Sequence, residues 1–304
     1  MKQEYVMLKT LLMLLGLSSI AFAYTAVSES NQDLIYTMLA YGKEGSVYLD
    51  EVFVALQTKL FKNTYLGIIV IIPLIFLVHY LIIGPKKFSH EGKKYYIFSL
   101  FNRIVHGMAA VSFMILVPTG LIMMFGSYFG GGEFVRVSKE LHAVSNFLFM
   151  ISVVPMFIMW VKNMLFTGED IKWFMILGGY LSKEKKPIPA GKFNAGQKMW
   201  FWVCTIGGIA MIFTGITIYV QDLNLGVLTM FGFTKIEMLR YCIIVHNVVG
   251  MAMVALFFTH VYMSMFAIKG ALQSIISGYK EEEEVKILHS SYYKELKEKD
   301  IAVK

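Results

Sequence analysis

Residues 239–268, LRYCIIVHNVVGMAMVALFFTHVYMSMFAIK, form an apolar run long enough to cross a bilayer as one helix, since about 20 apolar residues suffice. The run carries two imidazoles, His246 and His260, fourteen residues apart. At about 100° per residue the two point to nearly the same helix face, and at about 1.5 Å rise they differ in depth by roughly 21 Å. Ionisable side chains inside a membrane helix are costly and mark function by default. Two on one face, one near each end, predict two stacked sites inside a helical bundle, and the cofactor chemistry that best suits paired imidazoles there is haem iron.

Four further runs read as spans, at about 64–83, 97–126, 139–161 and 199–220. The composition agrees with a membrane protein: 57% of the residues are hydrophobic and 16% charged, where soluble domains are about half apolar and a quarter charged. The net charge of +7 is therefore read by topology rather than as affinity for nucleic acid. The connections 84–96 and 162–198 hold four and seven Lys, and the tail from 269 holds seven, whereas 127–138 and 221–238 hold only Arg136 and Lys235. By the positive-inside rule the Lys-rich segments and the C-terminus are cytoplasmic. Five spans then need an outer, periplasmic N-terminus. Residues 1–23, MKQEYVMLKTLLMLLGLSSIAFA, read as a secretory signal peptide cleaved after Ala23, with an uncleaved anchor as the alternative. The chain thus divides into a signal peptide (1–23), a periplasmic segment (24–62), an extra transmembrane helix (63–84), a membrane core (97–278) and a cytoplasmic tail (279–304).

Within 47–61, Val52, Phe53, Leu56, Leu60 and Phe61 recur at helical spacing and predict a short amphipathic helix lying on the outer surface or against a partner. Pro73 is a potential kink in the first span. The tail alternates Lys and Glu after a Glu281–Glu284 run and reads as a solvated helix or frayed end. Cys204 and Cys242 fall near opposite membrane faces, too far apart for the roughly 7 Å limit on bridged Cα atoms, so no disulfide is expected.

The topology sorts the histidines. His106 lies near the inner end of its span and His142 near the outer end of the next; His246 is outer and His260 inner. The result is an outer pair, His142 with His246, and an inner pair, His106 with His260, each joining facing helices as bundle cofactor sites do. Two haems b with bis-imidazole ligation need this arrangement. No CxxCH run is present for covalent attachment. Gly120, Gly215 and Gly250 either admit a flat ring or let helices pack closely. Phe213-Thr-Gly-Ile resembles Pro118-Thr-Gly-Leu. Arg103 and Arg240 are candidate propionate contacts, or interfacial anchors. His79 has no predicted partner and reads as structural or as facing a subunit, and His90 and His289 read as solvated.

From about Tyr96 to Gly278, some 60% of the chain, these features resemble the cytochrome b (gamma) subunit of respiratory formate dehydrogenases. The resemblance rests on Arg103-x-x-His106, Glu140-Leu-His142, the run Gly191-Lys-Phe-Asn-Ala-Gly-Gln-Lys198, Arg240-Tyr241 through His246, and His260-x-Tyr262 leading to Lys269-Gly270. It implies an all-α integral membrane protein, a four-helix dihaem cytochrome b bundle with one additional N-terminal transmembrane helix, in the bacterial inner membrane. It also implies electrons arriving from a periplasmic iron–sulfur subunit, itself fed by a molybdenum- or tungsten-containing catalytic subunit. They would pass through the outer and then the inner haem b to menaquinone or another quinone near the cytoplasmic face, beside Asn194, Gly196 and His260. Residues 1–95 depart from the better-known members. The alternatives are the same anchor serving another dehydrogenase, such as a nickel–iron hydrogenase, and a haem-free transporter; no nucleophile or carboxylate dyad points to bond chemistry in this subunit.

Overall fold

The computed structural model describes residues 47–220 and 232–298. The signal-peptide reading, most of the periplasmic segment, the 221–231 part of the fourth connection and residues 299–304 lie outside them. Among the described residues the elements are helices apart from one two-stranded ribbon.

The helices follow the apolar runs. Helix α1 (Val47–Ala55) passes through a π-helical turn, Leu56–Leu60, directly into α2 (Phe61–Ile82). Next come α3 (Leu100–Met124) and α4 (Gly132–Trp160). The following span is built from α6 (Ala195–Trp202), a π-turn at Val203–Gly207 and α7 (Gly208–Tyr219). The last is α8 (Lys235–Val261), continued by a π-turn at Tyr262–Ala267. Among the described residues five continuous helices are long and apolar enough to cross a membrane: Leu49–Ile82, Leu100–Met124, Gly132–Met164, Ala195–Tyr219 and Lys235–Ala267. All five expected spans thus have a helix; most ends shift by one to seven residues, but the first helix begins well before the expected span, at Leu49 rather than residue 64.

Local chemistry explains where several helices begin. Thr234 precedes α8, and its hydroxyl and amide donate to Glu237 at 2.9 and 3.0 Å while the Glu237 amide donates back to the hydroxyl at 3.3 Å. That reciprocal capping satisfies amides left open at a helix start. The short helix α5 (Gly168–Met175) begins with Thr167 and Asp170 in the same relation, and α6 with Asn194 and Gln197.

Two expectations are corrected. The 47–61 stretch is not a separate surface helix but the first turns of the first long helix. Nothing between Ala55 and Thr64 is Pro or Gly, so no local signal breaks the helix there. The C-terminal segment is not frayed. Strand β2 (Tyr279–Glu281) pairs antiparallel with β1 (Lys94–Tyr96), Lys94 opposite Glu281 and Tyr96 opposite Tyr279. Two short helices follow, α9 (Glu282–Leu288) and α10 (Ser290–Glu298). Ile287 and Leu288 join Phe88, Trp173, Ile188, Ala190, Ala195 and Ile268 in one buried cluster. The turn into β2 needs Gly278: its φ is +90°, and a Cβ there would stand 2.6 Å from the Phe98 carbonyl oxygen.

By contacts the chain falls into two compact units. The first comprises Met1–Tyr65, Met108–Ile151 and Ile209–Gly250; the second comprises Leu66–Gly107, Ser152–Gly208 and Met251–Lys304. The first unit contains His142 and His246, the second His106 and His260. In the first, α2 contributes Tyr65, whose hydroxyl donates to the Asn247 carbonyl at 3.1 Å and occupies the space a side chain at Gly250 would need.

Candidate cofactor sites

In the first unit α4 presents His142 and α8 presents His246, with ring centroids 6.4 Å apart. Each ring meets a Thr-Gly step. Thr119 Oγ1 lies 3.0 Å from His142 Nδ1, and Thr214 Oγ1 lies 2.9 Å from His246 Nδ1. Each hydroxyl also donates to its own helix, Thr119 to the Ile115 carbonyl at 2.6 Å and Thr214 to the Ala210 carbonyl at 2.7 Å. A threonine has one hydroxyl hydrogen and two lone pairs. With the hydrogen committed to the helix carbonyl, each oxygen faces its imidazole as an acceptor. Both rings therefore carry their hydrogen on Nδ1 and keep the Nε2 lone pair for a ligand. The glycines make room: a Cβ at Gly120 would stand 3.4 Å from His142 Cε1, and one at Gly215 3.4 Å from His246 Cε1.

In the second unit α3 presents His106 and α8 presents His260, with centroids 6.1 Å apart. Trp200 stacks on His260 at 5.6 Å and 22°, and Trp160 lies 6.4 Å from His106. Two buried donors here have no partner among the described residues, Arg103 Nε and Trp160 Nε1. Buried donors are nearly always paired, so both await an acceptor such as a carboxylate. Arg103 also donates through Nη1 to the Ile276 carbonyl at 2.5 Å.

The separations permit a test of fit. Two metal–nitrogen bonds of about 2.0 Å, with each ring centre about 1.1 Å behind its nitrogen given ring bonds near 1.35 Å, would put two coordinating imidazoles roughly 6.2 Å apart across one metal. The observed 6.4 and 6.1 Å match that spacing. Among the described residues no group of three or more His, Cys, Asp or Glu could hold a bare ion. Two imidazoles alone leave four positions open, the number a porphyrin supplies. The residues fit haem at both pairs.

The other predicted site residues have these surroundings. Arg240 forms an ion pair with Asp50 of α1. Asn194 Oδ1 accepts from the Gln197 amide at 3.0 Å and Gln197 Oε1 accepts from the Asn194 amide at 2.9 Å, so the carboxamide caps α6. A Cβ at Gly196 would come within 3.0 Å of the Trp173 ring. Lys198, from the same motif, pairs with Asp170 at 2.8 Å, both side chains 5% exposed.

Of the other three histidines, His289 departs from expectation, His79 gains named partners and His90 is exposed as expected. His289 is not solvated but buried, and its Nδ1–H donates to the Gly191 carbonyl at 2.8 Å. Burial, and then the Lys280 charge, push its pKa down to about 3. The apolar positions around it, Val285 and Leu288, are the sequence signal that the tail folds back. His79 has partners after all: Nε2 donates to the Tyr180 carbonyl at 2.8 Å, which leaves Nδ1 to accept from the Tyr262 hydroxyl at 2.5 Å. His90 is exposed beside Glu281. Cys204 and Cys242 are buried free thiols. Sequence reasoning missed Thr119, Thr214, Trp160 and Trp200; the repeated Thr-Gly step is the signal in the sequence that points to the two threonines.

Residues 97–278 match the family model described as prokaryotic cytochrome b561. The cytochrome b556(Fdn) subunit of the nitrate-inducible formate dehydrogenase of Escherichia coli K12 is 24% identical over 202 residues, 64% of this chain and 88% of that subunit. The formate dehydrogenase cytochrome b556 subunit of Haemophilus influenzae is 23% identical over 197 residues, 64% of this chain and 79% of its own length. The cytochrome b556(fdo) subunit of E. coli K12 is 22% identical over 202 residues, 64% and 90%. With five apolar helices and a match over its histidine-bearing core, the chain is a multi-pass bacterial membrane cytochrome b, a haem b protein of the prokaryotic cytochrome b561 family.

Proposed function

We propose that this chain is the cytochrome b subunit of a membrane-bound formate dehydrogenase. It takes electrons from an iron–sulfur partner on the periplasmic side, fed by a molybdenum- or tungsten-containing catalytic subunit, and delivers them to quinone near the cytoplasmic face. The observation that carries the reading is the pair of imidazole–imidazole separations, 6.4 and 6.1 Å, on helices whose curated relatives are formate dehydrogenase cytochrome subunits. Haem b, two per chain, supplies the one-electron chemistry when bound.

The residues have distinct parts in this account. His142 and His246 would hold one haem, and His106 and His260 the other. Thr119 and Thr214 hold the first two rings in the tautomer that leaves Nε2 free. Arg103, with its buried unpaired Nε, and Trp160 are suited to the carboxylate edge of the haem held by His106 and His260. Arg240 is the counterpart candidate at the other haem, with Asp50 as its competing partner. The quinone is assigned beside Asn194, Gly196 and His260 on the strength of the Asn-Ala-Gly-Gln-Lys motif. Asn194 supports that segment by capping α6, while Lys198 and Asp170 fix its start. Inward electron transfer moves negative charge across the bilayer, at about 2.3 kcal/mol per charge per 100 mV.

The test uses the intact complex in native membranes. Formate should reduce a b-type absorption band, and a menaquinone analogue should reoxidise it. Reduction by hydrogen but not formate, with a nickel–iron subunit co-purifying, would contradict the formate assignment. A properly assembled protein without haem would contradict the whole reading.

A further inference from the structure

The two imidazole pairs are not equivalent. Both rings of the His142–His246 pair donate from Nδ1 to a threonine oxygen, through the same Thr-Gly step on two different helices. Among the described residues neither His106 nor His260 makes any ring hydrogen bond, and their neighbours are instead the Trp160 and Trp200 rings. The repetition is close. Thr119 and Thr214 each donate to the carbonyl four residues back, and a second contact reaches the carbonyl three back at 3.2 Å in both. The following glycine sets the opposing imidazole edge at the same 3.4 Å from its missing Cβ.

We propose that Thr119 and Thr214 are positioning residues that hold the haem between His142 and His246 at a lower reduction potential than the haem between His106 and His260. The inference rests on the haem ligation proposed above. Its physical basis is the partner on the far side of a ligating imidazole: an acceptor at Nδ1–H makes Nε2 a stronger donor, which favours the oxidised iron. It also fixes the ring plane. The unbonded pair lacks both effects. Electrons entering at the threonine-braced site then run downhill to the second, the direction that delivery to quinone at His260 requires.

The experiment is a spectroelectrochemical and EPR titration of the purified complex carrying Thr119→Val with Thr214→Val, beside Thr119→Ser with Thr214→Ser. In the Val protein one haem should become easier to reduce by about five- to tenfold, about 40–60 mV for one electron. Its low-spin EPR signal should move as the ring planes relax, while the other haem keeps its midpoint. The Ser protein, which retains the hydroxyls, should return both values toward wild type. Two bound haems with unchanged midpoints in the Val protein would overturn the proposal, as would Ser behaving like Val. Where the Val protein fails to assemble, pulsed EPR of the wild type decides: the remote imidazole nitrogens of the low-potential haem should show hydrogen-bonded quadrupole couplings and those of the other should not. Indistinguishable couplings overturn the proposal. A wild-type complex without haem would instead sink the ligation on which it rests.

Discussion

Gly120 and Gly215 matter for what they leave out. Each lies against the edge of an opposing imidazole, where a Cβ would be at 3.4 Å and anything larger would displace the ring. Gly215→Ala should be tolerated with a small shift of His246, since a few tenths of an ångström suffice. Gly215→Leu should lose the haem of that pair and keep the other, halving the pyridine haemochrome yield per protein; full retention would contradict the cradle. His289 makes a pH prediction at the same scale. Burial depresses its folded-state pKa to about 3, below the roughly 6.5 of an exposed histidine. A depressed pKa means that the unfolded segment binds the extra proton more readily. The stability His289 contributes is thus fully present above pH 6.5 and is lost progressively as pH falls toward 3. The protection of residues 279–298 against hydrogen exchange, taken relative to the intrinsic rate at each pH, should fall between pH 6.5 and 5 in the wild type and lose most of that dependence in His289→Asn.

At the level of elements, two buried ion pairs pin the segments around α6 and the tail. Lys198 and Asp170 are each 5% exposed, and Lys280 of β2 pairs with the buried Glu284 four residues on, in the helix that follows. Removing one member of a buried pair leaves an uncompensated charge and costs about 3–5 kcal/mol. Lys198→Met should therefore lower the thermal unfolding midpoint of the detergent-purified protein markedly, and Lys198→Met with Asp170→Asn should recover part of the loss. An unchanged midpoint in the single variant would show that Asp170 is not stranded. These pairs also explain what the sequence concealed. Alternating Lys and Glu reads as a solvated face, and only tertiary contacts reveal that Lys280 and Glu284 face inward beside Val285 and Leu288. The spans were legible because lipid demands long apolar helices whatever the tertiary packing. The junction at 56–60 was not, because a π-turn leaves no Pro or Gly signature.

For the whole molecule, one long helix carrying a histidine for each of two sites was visible from residue spacing, and charge asymmetry among the loops supplied a partner for each. The same two pairs have ring separations suited to one metal apiece. What spacing did not reveal was the threonine bracing of only one pair, since depth arguments rank residues along a helix and not the hydrogen bonds across it. The extra first span stands apart: only 6% of its most apolar stretch is buried, against 22–33% in the other four, so most of that surface is left for lipid or a partner subunit. The central claim is that each pair ligates its own haem. Haem quantitation with optical redox titration of the purified wild type, His246→Ala and His260→Ala tests it most directly. The wild type should hold two haems b and each variant one, with a different midpoint surviving in each. One haem in the wild type, or loss of the same haem in both variants, would contradict it.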